Sequence, residues 1–222
     1  MSRVDNCDYM CKCVTLAVIL GAGRFIRVFA SLITDQVMGT VLRGWFNGKA
    51  QEMLRIIGLK MGQKVLDFGC GRGNYVIPAA QVVGDLGRVY ALDKNTRALD
   101  ELMRRAAARG LENIVRMDTS SEIDIDLDDG SVQAVLLYDI FWYFRLHDPR
   151  LPQLLDEVSR VSTPDGFVSI YPKHVDVDRL LEMVLSRGYR MRDSSSVDLL
   201  HDGYLERGRV YNFTLTRARG RE

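Results

Sequence analysis

The chain has 222 residues, 47% of them apolar and 27% charged, which is enough to bury a full core and too apolar for a disordered tail. Thirty Lys and Arg face 29 Asp and Glu, a formal charge of +1, so the broad basic field that drives generic binding to nucleic-acid backbones is missing. Cys7, Cys11, Cys13 and Cys70 are too few and too bunched for a secreted disulfide framework, and a reducing cytoplasm is the expected compartment.

In chain order, the first apolar run, Val14 to Leu20, falls short of the roughly 20 residues a spanning helix needs. Asp5 and Asp8 offset Arg3 and Lys12 where a leader would be basic, so the chain reads as soluble, with no cleaved leader. Cys7, Cys11 and Cys13 form C-x3-C-x-C without a clear fourth ligand, and no metal is expected there. Residues 1–59 read as an N-terminal helical segment. Phe25, Ile26, Phe29, Leu32, Ile33, Val37, Val41, Leu42, Trp45 and Phe46 recur at three- and four-residue spacings, the pattern of two or three amphipathic helices. Arg24, Arg27, Arg43 and Lys49 against Asp35 suit a solvated helix face, with peripheral membrane contact as the alternative. A lid over a bound ligand, with Trp45 and Phe46 facing the pocket, stands beside ordinary helix packing.

Residues 60–217 alternate short apolar runs with helical patterns, as repeated β–α units require. Strands are predicted at Lys64 to Phe68, Arg88 to Leu92, Ile114 to Met117, Val132 to Tyr138 and Phe167 to Tyr171. Helices are predicted at about 74–83, 95–109, 151–161 and 176–187. Tyr189 to Asp193 and Val210 to Thr216 read as a final antiparallel pair joined by a loop carrying Gly203, Glu206 and Gly208, too short for a crossover helix. Residues 218–222 are a tail.

The segment Val65 to Gly73 carries the most information, because a strand runs into Gly69, Gly71 and Gly73 and then into a helix. Glycines let the backbone turn sharply and lie against a ligand, and the following helix N-terminus offers unpaired N–H groups. About 20 residues on, Asp93 ends the second strand, where one carboxylate can meet paired ribose hydroxyls. The spacing is G-x-G-x-G rather than the dinucleotide G-x-G-x-x-G, and Asp67 precedes the first glycine by two residues. A carboxylate there repels a pyrophosphate and favours a cationic nucleoside ligand.

These residues resemble the class I S-adenosylmethionine-dependent methyltransferases, in particular the ubiquinone/menaquinone methyltransferase-like, or type 11, group, over about residues 50 to 217. Asp67 through Gly73, with Gly69, Cys70, Gly71 and Gly73 in the loop, matches the family's first motif. Asp93, followed by Lys94, matches the acid that holds the ribose, and Met117-Asp118-Thr119 the segment that meets the adenine. Tyr138-Asp139 stands at the strand end bordering methyl transfer, and Thr163 to Phe167 resembles the proline-glycine turn before the fifth strand. The resemblance implies a three-layer Rossmann-like α/β sandwich, a seven-stranded mostly parallel sheet with one antiparallel strand. It also implies S-adenosyl-L-methionine as cofactor and a small-molecule acceptor.

Methyl transfer from a sulfonium needs positioning and exclusion of water, and an oxygen or carbon acid also needs a base. Asp139 and His174, each just past a strand end, are the catalytic candidates; His147 and His201 do not stand out. Tyr138, Phe141, Trp142, Tyr143 and Phe144 serve either the core or a pocket for a flat or greasy substrate. The alternatives are a non-catalytic binder of the same cofactor and a methyltransferase acting on a macromolecule. Oligomeric state is not legible.

Overall fold

The computed structural model describes residues 39–40, 42–120 and 123–215. The chain divides into two compact units, Met1–Gly44 and Trp45–Glu222, and the second carries the features below. Cys7, Cys11, Cys13 and most of the expected N-terminal helices lie outside the described residues. Among the described residues, no helix is long and apolar enough to cross a membrane.

Seven strands form one sheet: β1 (Lys64–Phe68), β2 (Arg88–Asp93), β3 (Ile114–Asp118), β4 (Val132–Tyr138), β5 (Ser162–Tyr171), β6 (Tyr189–His201) and β7 (Tyr204–Leu215). Their order is β3-β2-β1-β4-β5-β7-β6. β1 to β5 are mutually parallel, while β7 runs antiparallel to both β5 and β6. One reversed strand in an otherwise parallel sheet is the arrangement the resemblance implies.

The helices are α1 (Ala50–Ile56), α2 (Val76–Val83), α3 (Thr96–Ala107), α4 (Arg150–Val161) and α5 (Val177–Ser186). Asn95 opens α3 by accepting from the Ala98 N–H, and Asp176 opens α5 by accepting from that of Arg179, each satisfying an orphan donor of a first turn. β1 and β4 are buried along nearly their whole length, as a parallel sheet covered on both faces demands. On one face, Leu66, Val135, Leu137, Val168 and Ile170 pack with Leu151, Leu154, Leu155 and Val158 of α4 and Leu180 and Val184 of α5.

Two expectations change at the C-terminal end. β5 begins at Ser162 and runs through the expected turn, with a register shift against β4 between Val132 and Ala134. The proline-glycine segment is thus a bulge within the strand. The last two strands form a long hairpin in which His201 pairs with Tyr204, so the loop expected between them shrinks to Asp202-Gly203. Both residues have positive φ, 48° and 82°, as a two-residue primed turn requires.

Sheet order positions the site. β2 and β3 extend to one side of β1 and β4 and β5 to the other, so the loops after β1 and β4 part and leave a crevice at the carboxyl ends of the strands.

Candidate functional site

The loop after β1 is pinned to the end of β2, since the N–H groups of Gly69 and Cys70 both donate to the Leu92 carbonyl, at 2.9 and 3.1 Å. Two of its glycines do different work. Gly71, at φ 53°, has nothing within 4 Å of where a Cβ would sit, whereas at Gly73, at φ 80°, a Cβ would fall 2.2 Å from Leu102 Cδ1 on α3. Gly71 leaves open space on the cavity wall, and Gly73 lets α3 approach the loop. α2 begins at Val76, two residues later than predicted, because the segment from Gly71 to Tyr75 is taken up by turns.

Asp93 ends β2 with both carboxylate oxygens engaged: Oδ2 accepts from Gly71 N–H and Oδ1 from Asn95 N–H, each at 2.7 Å. A carboxylate has about four lone-pair sites, so room remains for a ligand's hydroxyls. Asp93 and Gly71 line a cavity of about 350 Å³, with Phe68, Gly69, Leu92, Lys94, Asn95, Thr119, Asp139, Ile140, Tyr143, Phe144 and Arg150. After β4 the wall carries the Asp139 carboxylate and is otherwise apolar and aromatic at Ile140, Tyr143 and Phe144. Lys94 Nζ stands 5.2 Å from the centre of the Tyr143 ring, a cation–π contact between the two sides.

Of the residues singled out in the sequence, Gly69, Gly71, Asp93, Lys94, Thr119 and Asp139 thus meet on one wall. Asp67 is buried within β1, and its Oδ2 has no hydrogen-bond partner. Burial first, then the charges of Asp93 and Asp139, push its carboxyl up to about 8, because an ionised carboxylate in that environment lacks both water and a counter-charge. Burial and the same Asp67 and Asp93 charges hold the Cys70 thiol far above the usual range, so Cys70 is a small residue that fits rather than a nucleophile.

Asp118 lies outside that wall and is held by Arg116, whose Nε and Nη2 donate to its two oxygens at 2.6 and 2.7 Å. The Arg116 hydrogen bonds keep its carboxyl below the usual range. It lines a neighbouring open cavity of about 450 Å³ that shares Leu92 and Thr119 with the first. Tyr138 turns into the core, with its hydroxyl 2.7 Å from Ser169 Oγ and its ring 4.8 Å from that of Tyr75. The aromatic run divides: Phe141 is core, Phe144 is buried yet lines the cavity, and Tyr143 and Trp142 are exposed. Trp45 is fully buried, donates from Nε1 to the Asn74 carbonyl at 3.0 Å and meets Tyr75 edge-on. Phe46 lies under the guanidinium groups of Arg105 and Arg109. Neither is on the cavity wall, so both follow ordinary packing.

His201, passed over in the sequence, belongs beside Asp139: its Nδ1 is 2.6 Å from Asp139 Oδ1, and its Nε2 is 3.0 Å from His174 Nε2. The dipeptide Asp202-Gly203 between alternating residues is the signal that could have found it, since it makes His201 the last residue of a strand. Asn95 and Arg150 were also missed, and nothing in their sequence setting marks them, whereas Tyr143 belongs to the aromatic run singled out for a pocket.

A family model described as a methyltransferase domain matches residues 65–166. Among curated proteins, demethylmenaquinone methyltransferase of Lactobacillus johnsonii is 29% identical over 137 residues, 61% of this chain and 54% of that protein. Aklanonic acid methyltransferase of Streptomyces sp. is 38% identical over 84 residues, 35% of this chain and 38% of that protein. Among solved structures, an S-adenosylmethionine-dependent methyltransferase from Aquifex aeolicus has a TM-score of 0.62 at 22% identity, over 75% of this chain and 89% of its own. At that identity the likeness is one of fold. The chain spans about half, or less, of the length of the curated relatives it matches.

Proposed function

Because the chain belongs to the class I S-adenosylmethionine-dependent methyltransferases through its domain at residues 65–166, we propose that it transfers a methyl group to a small-molecule acceptor. S-adenosylmethionine is this family's cofactor, and when bound it supplies a methyl carbon on a sulfonium that a nucleophile displaces in line.

The observation that carries the reading is the set of three carboxylates around the cavity, whose two cations are engaged elsewhere, Lys94 over the Tyr143 ring and Arg150 with Asp148. Asp93 and Asp139 line the cavity, and the charges of both reach Asp67, whose Oδ2 is buried without a partner. Such a set suits a cation and disfavours a pyrophosphate, and the cofactor carries an ammonium and a sulfonium. In this reading Asp67 meets the amino group, Asp93 the ribose hydroxyls, and Asp118 and Thr119 the adenine. Gly69, Cys70, Gly71 and Gly73 let the backbone come close, Lys94 completes the wall, and Tyr138 supports the site from the core, its ring against that of Tyr75.

Ile140, Tyr143 and Phe144 give the acceptor side an apolar, partly aromatic wall, which fits a flat or greasy molecule. The names of the relatives, for demethylmenaquinone and aklanonic acid, point the same way. In this reading residues 60–217 carry the chemistry, and the protein works in the cytoplasm.

Calorimetry with S-adenosylmethionine and S-adenosylhomocysteine is the test. Micromolar binding is expected, weakened at least tenfold, about 1.4 kcal/mol, by Asp93→Ala. Wild-type protein that binds neither compound overturns the reading.

A further inference from the structure

We propose that Asp139, His201 and His174 form one hydrogen-bonded unit that removes the acceptor's proton, so that the acceptor is an acid: an aromatic or enolic hydroxyl, or a carbon flanked by carbonyl groups. The proposal rests on the methyltransferase reading. Asp139 is the group at the cavity; His201 and His174 are positioning residues.

The parts come from three different strand ends: Asp139 after β4, His174 after β5, and His201 at the end of β6. An ionised Asp139 can only accept, so His201 Nδ1 donates to Oδ1 across 2.6 Å. A neutral His201 then presents a lone pair at Nε2, and the His174 Nε2 3.0 Å away must carry the hydrogen between them. Trp142 covers His174, ring centres 4.6 Å apart and 33° from parallel.

Backbone strain marks the same place. Among the described residues, the non-glycine positions with positive φ are Asp139 (57°), His174 (63°) and Asp202 (48°). Asp139 and His174 are members of the chain, and Asp202 is next to His201 in the turn that presents it. Left-handed conformation at non-glycine residues persists only where the surroundings impose it, and it clusters at functional sites.

Other charges near the unit are Asp202, whose Oδ2 is 3.4 Å from His201 Nε2, and the Glu206–Lys173 pair. Glu206 is occupied, since Tyr171 donates to Oε1 at 2.5 Å and Lys173 to Oε2 at 2.6 Å, so it does not compete for His201. Burial raises the Asp139 carboxyl, Asp202 and Glu206 add to that, and His201 opposes it through its charge and its hydrogen bond. The result is a carboxylate more basic than a free one, held by an imidazole.

In the step, an acceptor electron pair forms the bond to the methyl carbon while the carbon–sulfur pair returns to sulfur and cancels its charge. The acceptor's proton passes to Asp139, which goes from carboxylate to neutral acid, and water takes that proton once the product leaves.

Three histidines in the whole chain make the test direct. In protein labelled with 15N at histidine, without cofactor, His201 is expected as the Nδ1–H tautomer, with that hydrogen bond lost in Asp139→Ala. A His201 ring averaging between tautomers overturns the proposal. With 13C-labelled aspartate, the Asp139 titration is expected to move up by at least half a pH unit in His201→Leu and part of the way back in His201→Asn, whose amide can stand in for Nδ1–H. No movement, with S-adenosylhomocysteine still bound, overturns the unit and leaves the methyltransferase reading intact; wild-type protein that binds no S-adenosylhomocysteine removes both. If His201→Leu does not fold, the wild-type tautomer decides. With 1,4-dihydroxynaphthalene, 4-nitrocatechol, acetylacetone and benzylamine offered as acceptors, methylation of at least one acid is expected, at least tenfold slower in Asp139→Asn. Methylation of the amine alone, or of none, overturns the acceptor class.

Discussion

Asp67→Asn is expected to weaken S-adenosylmethionine binding by a hundredfold or more while making the ligand-free protein more stable above pH 8. Both effects follow from the unpartnered carboxylate oxygen inside β1. In the folded, ligand-free chain the Asp67 carboxyl is raised from 3.8 to about 8, so over that window the unfolded chain gives up its proton while the folded chain retains it. The unfolded state then binds fewer protons, and stability falls as pH rises by up to about 1.4 kcal/mol per pH unit. The stability tied to protonated Asp67 is complete below pH 3.8 and is lost by about pH 8; asparagine, which does not titrate, removes this slope. A cationic ligand does the opposite, since it stabilises the ionised carboxylate. Binding near pH 7 is therefore expected to release close to one proton, and affinity to rise with pH until it levels off near 8. Calorimetry in two buffers of different ionisation heat counts that proton, and thermal melts across the pH range read the slope. Binding that releases no proton, or a variant that binds as tightly as wild type, would remove Asp67 from the site.

Gly71→Ala and Gly73→Ala are expected to fail in opposite ways although the two residues are neighbours in one loop. At Gly73 a Cβ would fall 2.2 Å from Leu102 Cδ1 in a left-handed backbone, which combines about 1 to 2 kcal/mol of conformational strain with about 1 to 3 kcal/mol of overpacking. A loss of about 3 kcal/mol is expected in a denaturant melt. At Gly71 the Cβ meets no protein atom within 4 Å, so the cost is the strain alone, about 1 kcal/mol. That methyl enters the cavity on which Gly71 lies, and S-adenosylhomocysteine binding should weaken at least tenfold. If the two variants show the same ratio of stability loss to affinity loss, the division of labour between cradle and packing does not hold.

The glycine-loop half of the candidate site was legible because its parts are local. Asp67, the three glycines and Asp93 fall within 27 residues of one strand–loop–helix–strand unit, and the register of parallel strands carries each to the same edge. The side of the cavity at the end of β4 was only partly legible. Asp139 and His174 were singled out for ending strands, but His201 is 62 residues from Asp139, and its strand hides behind a polar stretch. The strand was expected to stop at Asp193, and the three Ser at 194–196 that follow on this sheet edge offer no apolar alternation to announce that it runs on to His201. Charged residues suit such an edge, where they discourage pairing with another chain. The later start of α2 was not legible either, because the turns between Gly71 and Tyr75 depend on how closely α3 approaches Gly73.

The order of the last strands sets a schedule for building the site. β6 is made before β7, yet in the sheet it is hydrogen-bonded only to β7, which lies between it and β5. While a ribosome is still producing the chain, the glycine loop and Asp93 can already take their places, whereas β6 has no neighbour to hold it until β7 has emerged and slotted in. The hairpin itself is local, but it joins the sheet only where β7 meets β5, and such longer-range pairing is slower, so the nascent protein is expected to pass through a stage with the glycine loop and Asp93 in place and no imidazole beside Asp139. Synthesis of β7 then decides when Asp139 acquires the imidazole that holds it.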